Sequence, residues 1–277
     1  MYMTSLIKVE WLKMRKYKAF WLIIILTALA YPGVTLISYS IYTDVVGQPS
    51  RASQLAKMAL GNPFTFPEVW HTLAYFCSLF VFVPAVVVIM MVTNEYSFRT
   101  HRQNIIDGWS RNQFITSKLI DVLLITFMIT LFFFQAALAT GIYNQDRLIW
   151  STWEQIQYVG LFALQTFSQL SIAFFLGFIV RKAFLALGIF IFYFIILENI
   201  IVALLRVKAH DEGRISQFLP LEISDRLIPV PAFMGNINKG AYDRAIAAIP
   251  THILLTVLFT LLLWAICYFM NRRRDLK

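Results

Sequence analysis

Glu198 is the one acid set well inside an apolar run of this chain, and Asn199 stands beside it. A carboxylate in hydrocarbon is costly unless it is paired, protonated or hydrated, so Glu198 implies a water-accessible path or an interhelical hydrogen bond. Gln165, Ser168 and Gln169, at offsets of three and four, share one helical face. They could line the same path, or act as hydrogen-bonding glue between helices. Glu198, Gln165 and Gln169 therefore form a candidate translocation path. Gln135, in another apolar run, is open to both readings.

A second group lies in residues 94–118, NEYSFRTHRQNIIDGWSRNQFITSK, a basic and polar stretch between two long apolar runs. Asp107-Gly108 is a turn signal, and Ser110 followed by Gln113 has the S-x-x-Q form of a capping box that opens the next helix. Ile105, Ile106 and Trp109 are then apolar groups at or near the tip of a polar knob, where a fold without a partner has little reason to put them. Arg99, Arg102 and Arg111 suit acidic groups of such a partner or lipid phosphates. A solvated loop tucked under its own bundle is the plainer alternative.

Catalytic signatures are missing from the sequence. There is no G-x-x-x-x-G-K-[ST] phosphate loop, H-E-x-x-H, G-x-S-x-G or C-x-x-C. His71, His101, His210 and His252 are scattered without metal-ligand spacing, and read as polar anchors. Hence no catalytic or metal-binding residue is assigned.

The elements that must position these groups are membrane helices. Hydrophobic residues make up 59% of the 277, with a mean hydropathy of +0.67, which exceeds what a soluble domain carries. Segments near Phe20–Ile41, Val69–Val92, Leu119–Tyr143, Gln155–Val180, Ala183–Leu205 and Ile249–Met270 each reach the roughly 20 residues a spanning helix needs. Pro84 is expected to kink the second. The first lacks a small-residue cleavage site and reads as a retained helix. The stretches containing Lys8 to Lys18, the knob, Arg181-Lys182 and Arg272 to Lys277 hold 15 of the 24 basic residues, against only Glu10, Glu95, Asp107, Asp121 and Asp275. By the positive-inside rule those stretches, and both termini, are cytoplasmic. The net charge of +9 is then a topology signal and does not call for nucleic acid. Cys77 and Cys267 fall within predicted spans, which argues against a disulfide framework.

Two shorter elements complete the plan. Met3, Ile7, Trp11 and Met14 lie on one helical face with Lys8, Arg15, Lys13 and Lys16 to its sides, the pattern of an interfacial helix over residues 1–19. Residues 206–248 contain FLPLEISDRLIPVPAFMGNI, whose prolines forbid one long helix and whose apolar content suits short helices in or near the outer leaflet. The fold class expected is therefore an all-α integral membrane protein forming one domain over 1–277, with six transmembrane helices.

The knob residues Glu95, Thr100, Arg102, Gln103, Asn104, Ile105, Ile106, Asp107, Gly108, Ser110, Arg111, Phe114, Ser117 and Lys118 resemble the first cytoplasmic loop of permease subunits from the type-two exporter class of ATP-binding-cassette transporters. The K-x-E-x-x-K opening, Lys8, Glu10 and Lys13 with Trp11 inside it, is similar to the interfacial helix that starts those permeases. The resemblance extends over the whole chain through span count and the long segment between spans five and six. It implies that residues 94–118 are the coupling element docking on an ATP-binding subunit, with Arg102 to Trp109 and Arg111 at the contact. It further implies two permease subunits, identical or homologous, over two ATPase subunits in the plasma (inner) membrane, with ATP and Mg bound by the partner and no cofactor in this chain. A secondary transporter or channel would instead be marked by inverted repeats, broken helices or several intramembrane charges. A membrane-embedded lipid-modifying enzyme would need clustered reactive groups at one depth.

Overall fold

The computed structural model describes residues 3–49, 51, 53, 60–145, 150–208, 213–235 and 238–273. Arg274, Asp275 and Lys277 of the basic tail, His210, Asn236 and Ile237, and the side chain of Met3 lie outside the described residues. All regular structure among the described residues is helical. The longer elements are α1 (Met3–Lys16), α2 (Lys18–Val46), α3 (Glu68–Ser78), α4 (Phe82–Ser97), α5 (Thr100–Ile106), α6 (Arg111–Asn144), α7 (Gln157–Val180), α8 (Ala183–Lys208) and α11 (Lys239–Arg273), with four-residue helices α9 (Glu222–Asp225) and α10 (Ala232–Gly235) before the last.

Five helices, α2, α6, α7 with its preceding turn, α8 and α11, are long and apolar enough to cross a membrane, and the bent pair α3 and α4 would make a sixth. The chain is a multi-pass helical membrane protein. Helices α3 and α4 meet at 49°, so the expected kink is a full break. Pro84 has no N–H to offer the carbonyl of Phe80, which instead accepts from Val83 at 3.0 Å in a tight turn.

Helix α7 is the axis of the bundle: 61% of its apolar stretch is buried within the chain, against 22–39% for the other four spans. From it Phe162 packs against Tyr31 and Phe133, Phe174 against Trp264 and Phe178 against Tyr96. Trp264 stacks on Phe174 at 4.5 Å and its indole N–H donates to Ser171 Oγ at 3.0 Å. By contrast α8 turns Phe184, Leu185 and Ile189 outward, as a lipid-facing helix does. Cys77 and Cys267 are both buried.

Element ends differ from the sequence expectation where local chemistry favours helix. Helix α11 starts at Lys239 and runs through Pro250, so the segment between the fifth and sixth apolar helices is shorter than residues 206–248. The bundle has two distinct ends. At one, α1, α5, the Arg181-Lys182 turn and the end of α11 gather. At the other, α9 and its flanking turns close over α7, α8 and α11.

Candidate functional site

The knob is built by local rules. Arg99 adopts a left-handed conformation (φ 56°) that ends α4 and starts α5. Helix α5 ends in a Schellman motif: the N–H of Trp109 donates to the carbonyl of Asn104 at 2.9 Å and that of Gly108 to Ile105 at 3.1 Å, with Gly108 at φ 96°. A Cβ at Gly108 would meet no atom within 4 Å, so its backbone conformation and not its space favours glycine. The capping box is present as read: Gln113 N donates to Ser110 Oγ at 3.2 Å, and Ser110 N to Gln113 Oε1 at 2.7 Å. Gln103 donates to Asp107 Oδ1 at 2.9 Å, bracing the last turn of α5.

Under this knob lies a buried ion cluster. Lys118 Nζ on α6 donates to Glu10 Oε2 at 2.7 Å, Glu95 Oε1 at 2.7 Å and Asp121 Oδ2 at 2.9 Å. Lys13 Nζ on α1 reaches Glu10 Oε1 at 2.9 Å and Glu95 Oε1 at 3.1 Å. Glu95 and Lys118 are the two ends of the knob motif, and Glu10 and Lys13 belong to the N-terminal K-x-E-x-x-K. Two motifs distant in sequence thus meet at one point. Lys118 is 1% exposed and Glu10 0%, so neither charge is compensated by solvent. Burial raises the Glu10 carboxyl, but the attraction of Lys118 and then Lys13 outweighs it and holds the group down at about 2.

The cluster gives α1 an inward face that the apolar stripe did not indicate. Its inward face is Leu6, Glu10 and Met14, at steps of four, with Lys13 half-buried beside them, while Ile7 and Trp11 point outward. The stripe of Ile7, Trp11 and Met14 is therefore split between faces, because a helix packed over buried ions seats its carboxylate inward. Lys8 is exposed.

The apolar tip is also divided. Ile106 is 77% exposed and Ile105 half-buried, but Trp109 is only 8% exposed, packed with Leu6 and Ile120 in a small separate core. Lys13 Nζ lies 5.4 Å from its ring centroid. Arg102, Gln103, Asp107 and Gly108 are exposed and Asn104 half-buried. Phe98, exposed beside the start of α5, is a second outward apolar group, signalled only by its place among Tyr96, Arg99 and Arg102. Arg111 is tied inward: its Nη1 donates to the Arg272 carbonyl at 2.8 Å while Asn271 donates to the Arg111 carbonyl at 2.7 Å, joining the knob to the end of α11. Arg181 sits 4.9 Å over the Tyr96 ring, and Asn94 donates to Tyr17 Oη at 2.9 Å. Burial pushes the His101 imidazole down against the pull of Glu95, and its ring packs edge-on to Phe114 at 4.4 Å.

At the opposite end Glu198 and the glutamines meet the chain and not each other. Glu198 follows a π turn, Tyr193–Leu197, and accepts from the backbone N–H groups of Leu221 at 2.9 Å and Glu222 at 2.7 Å. Gln165 and Gln169 donate to Asp225 Oδ1 at 2.8 and 2.7 Å. His71 Nε2 pairs with the Pro229 carbonyl at 2.8 Å and its ring stacks on Tyr158 at 4.0 Å. Thr256 Oγ1 donates to the Ile223 carbonyl at 3.1 Å. These side chains, from four helices, hold the segment around α9 over the bundle. Asp225 was missed in the sequence, since no local pattern ties it to glutamines 56 and 60 positions away. No group of three or more His, Cys, Asp or Glu suited to a metal ion occurs among the described residues.

Residues 58–277 match the model of a protein family of unknown function, DUF2705. No curated protein matches the chain. The match takes in the knob, the ion-cluster residues Glu95, Lys118 and Asp121, and all the helices from α3 onward, so the chain belongs to the DUF2705 family.

Proposed function

We propose that this member of the DUF2705 family is the membrane-spanning permease subunit of an exporter of the type-two ATP-binding-cassette class, driven by ATP hydrolysis in a separate subunit. The observation that carries the reading is the buried Glu10–Lys13–Glu95–Lys118 cluster beneath the exposed Ile106. It makes α1, the end of α4 and the start of α6 one block, and leaves on its outer side a small apolar and basic face, Phe98, Arg102, Gln103, Ile106 and Asp107, that a soluble engine could push. Truncating central apolar anchors of such contacts costs roughly 2 kcal/mol or more. Arg111 and Trp109 serve the block from within.

In this reading α3 and α4 form one broken span, so the chain crosses six times, and the basic end with both termini is cytoplasmic in the plasma (inner) membrane. The segment around α9 and α10 lies at the outer leaflet, where its prolines and its backbone hydrogen bonds to Glu198, His71 and Thr256 leave fewer backbone groups facing lipid. ATP and Mg belong to the partner, two copies of which serve two permease subunits. The position of Glu198, Gln165 and Gln169 at the edge of that segment supports a role in opening the exit more than in lining an open path.

The test is assembly. Tagged full-length protein expressed in its own host should copurify with a stoichiometric ATP-hydrolysing subunit, and Ile106→Asp should abolish that recovery while the protein stays folded in the membrane. Purified chain that moves solute in liposomes with no nucleotide and no second subunit would overturn the proposal.

A further inference from the structure

The outward face of α1 carries a charge that no acid among the described residues pairs with. Lys8, Arg15, Lys16 and Lys18 are exposed, and none of them takes part in an ion pair among the described residues. The one acid of α1, Glu10, is buried on the opposite face and consumed by Lys118 and Lys13. At 100° per residue Lys8 and Arg15 lie within about 20° of each other on the outer face, with Ile7 and Trp11 on one flank and Leu12 and Lys16 on the other. Ile7, Trp11 and Leu12 are all exposed.

The elbow after α1 fixes the depth of this face. Trp21, in the first turn of α2, donates its indole N–H to the Arg15 carbonyl at 3.0 Å, and Trp11 stands edge-on to it with centroids 6.5 Å apart. Indoles with one apolar and one polar edge settle at the headgroup level of a bilayer. Two of them locked together beside the start of a spanning helix place Lys8, Arg15, Lys16 and Lys18 at the same level, where phosphates are. The neighbouring apolar side chains can enter the acyl boundary while the cations reach back to the headgroups.

We infer that the outward face of α1, Lys8, Arg15 and Lys16 framed by Trp11 and Leu12, is a binding surface for anionic phospholipid headgroups. Because the inward face of the same helix is bolted to the knob through Glu10 and Lys13, lipid bound there bears on the position of α5. The inference depends on the chain being a membrane protein and not on the identity of any soluble partner. Charge complementarity favours lipid over an acidic protein surface, since the apolar groups flank the cations at bilayer level.

Native mass spectrometry of the full chain in mild detergent, titrated with phosphatidylglycerol or phosphatidylcholine, tests this. Each basic residue near an anionic surface contributes enough that losing three should weaken binding at least about tenfold. The expected result is retention of phosphatidylglycerol over phosphatidylcholine by wild type, and loss of that preference in Lys8→Gln, Arg15→Gln, Lys16→Gln with its melting temperature unchanged. The double variant Arg99→Gln, Arg102→Gln, altered on the knob, should keep the preference. Equal retention of the two lipids by wild type, or an undiminished preference in the triple variant, would overturn the inference. So would a triple variant that keeps its lipids but fails to recover an ATP-hydrolysing subunit, which would assign the face to protein. Loss of lipid preference with normal recovery of that subunit supports the inference independently of the proposed function.

Discussion

Lys118 is the residue on which the most geometry converges. It is a single ammonium shared by three carboxylates, out of solvent, and removing it leaves those carboxylates to repel one another in a low-dielectric site. Breaking a buried pair by deleting one partner costs roughly 3–5 kcal/mol, so Lys118→Met should drop the melting temperature in detergent by many degrees. The double variant Lys118→Met, Glu95→Gln should regain part of the loss, because one unpaired charge goes with the cation. If the single variant melts like wild type, the cluster contributes nothing to the fold. Glu10 gives a second measurement. Its folded carboxyl is depressed to about 2, so the stability it contributes is fully present above the unfolded carboxyl value of about 4.3. That stability is lost as pH falls through about 2. The melting difference between wild type and Glu10→Gln should accordingly be constant from pH 7 to 5 and shrink below about pH 4. A difference that grows on acidification would show that Glu10 is not held as a carboxylate.

Elements explain which of these features could be read in advance. The Asp107-Gly108 turn, the Ser110–Gln113 capping box and the apolar runs are local, fixed by neighbours within a few positions, and all were legible. Asp121, three residues after Lys118, was counted only among the acids of the basic stretches, although that spacing puts the two on one helix face. What local pattern does not contain is that Lys118 meets Glu10 across 108 positions, so α1 offered no sign that its carboxylate faced inward. Trp109 read as an exposed tip for the same reason: its cover, Leu6, comes from another element. At the other end, Glu198 read as a lone charge in lipid because its partners are backbone N–H groups, which side-chain patterns do not reveal. That element yields its own prediction. Charge-assisted hydrogen bonds are worth about 1.5–3 kcal/mol each, so Glu198→Gln should loosen the start of α9. Hydrogen exchange should rise at Leu221 and Glu222 well above any change in α7. Unchanged exchange at those two amides would mean that the carboxylate is not what holds the segment.

Across the whole molecule, polar ties concentrate at the two ends. The knob end is joined by the ion cluster, Arg111 to Arg272, Asn94 to Tyr17 and Arg181 over Tyr96. The far end is joined by Glu198, His71, Thr256 and the Asp225 glutamines. Between them the helices meet mainly through Phe, Ile and Val, with Trp264 to Ser171 as a polar exception. Apolar contacts of that kind can exchange as helices slide, whereas a cluster of shared ions holds its members in register, so force applied at Ile106 should travel through the block under it. Two substitutions separate contact from block. Ile106→Asp alters an exposed side chain and should shift stability by no more than about 0.5 kcal/mol, yet it should abolish binding of the proposed ATPase subunit. Trp109→Ala opens the small core beneath α1 and should cost about 3 kcal/mol or more, with ATPase binding weakened only as far as α1 is displaced. Melting and ATPase recovery measured on each variant distinguish them. If Trp109→Ala abolished binding without lowering the melting temperature, the indole would have to leave Leu6 and enter the contact itself, and the knob would work by opening instead of by moving as one piece.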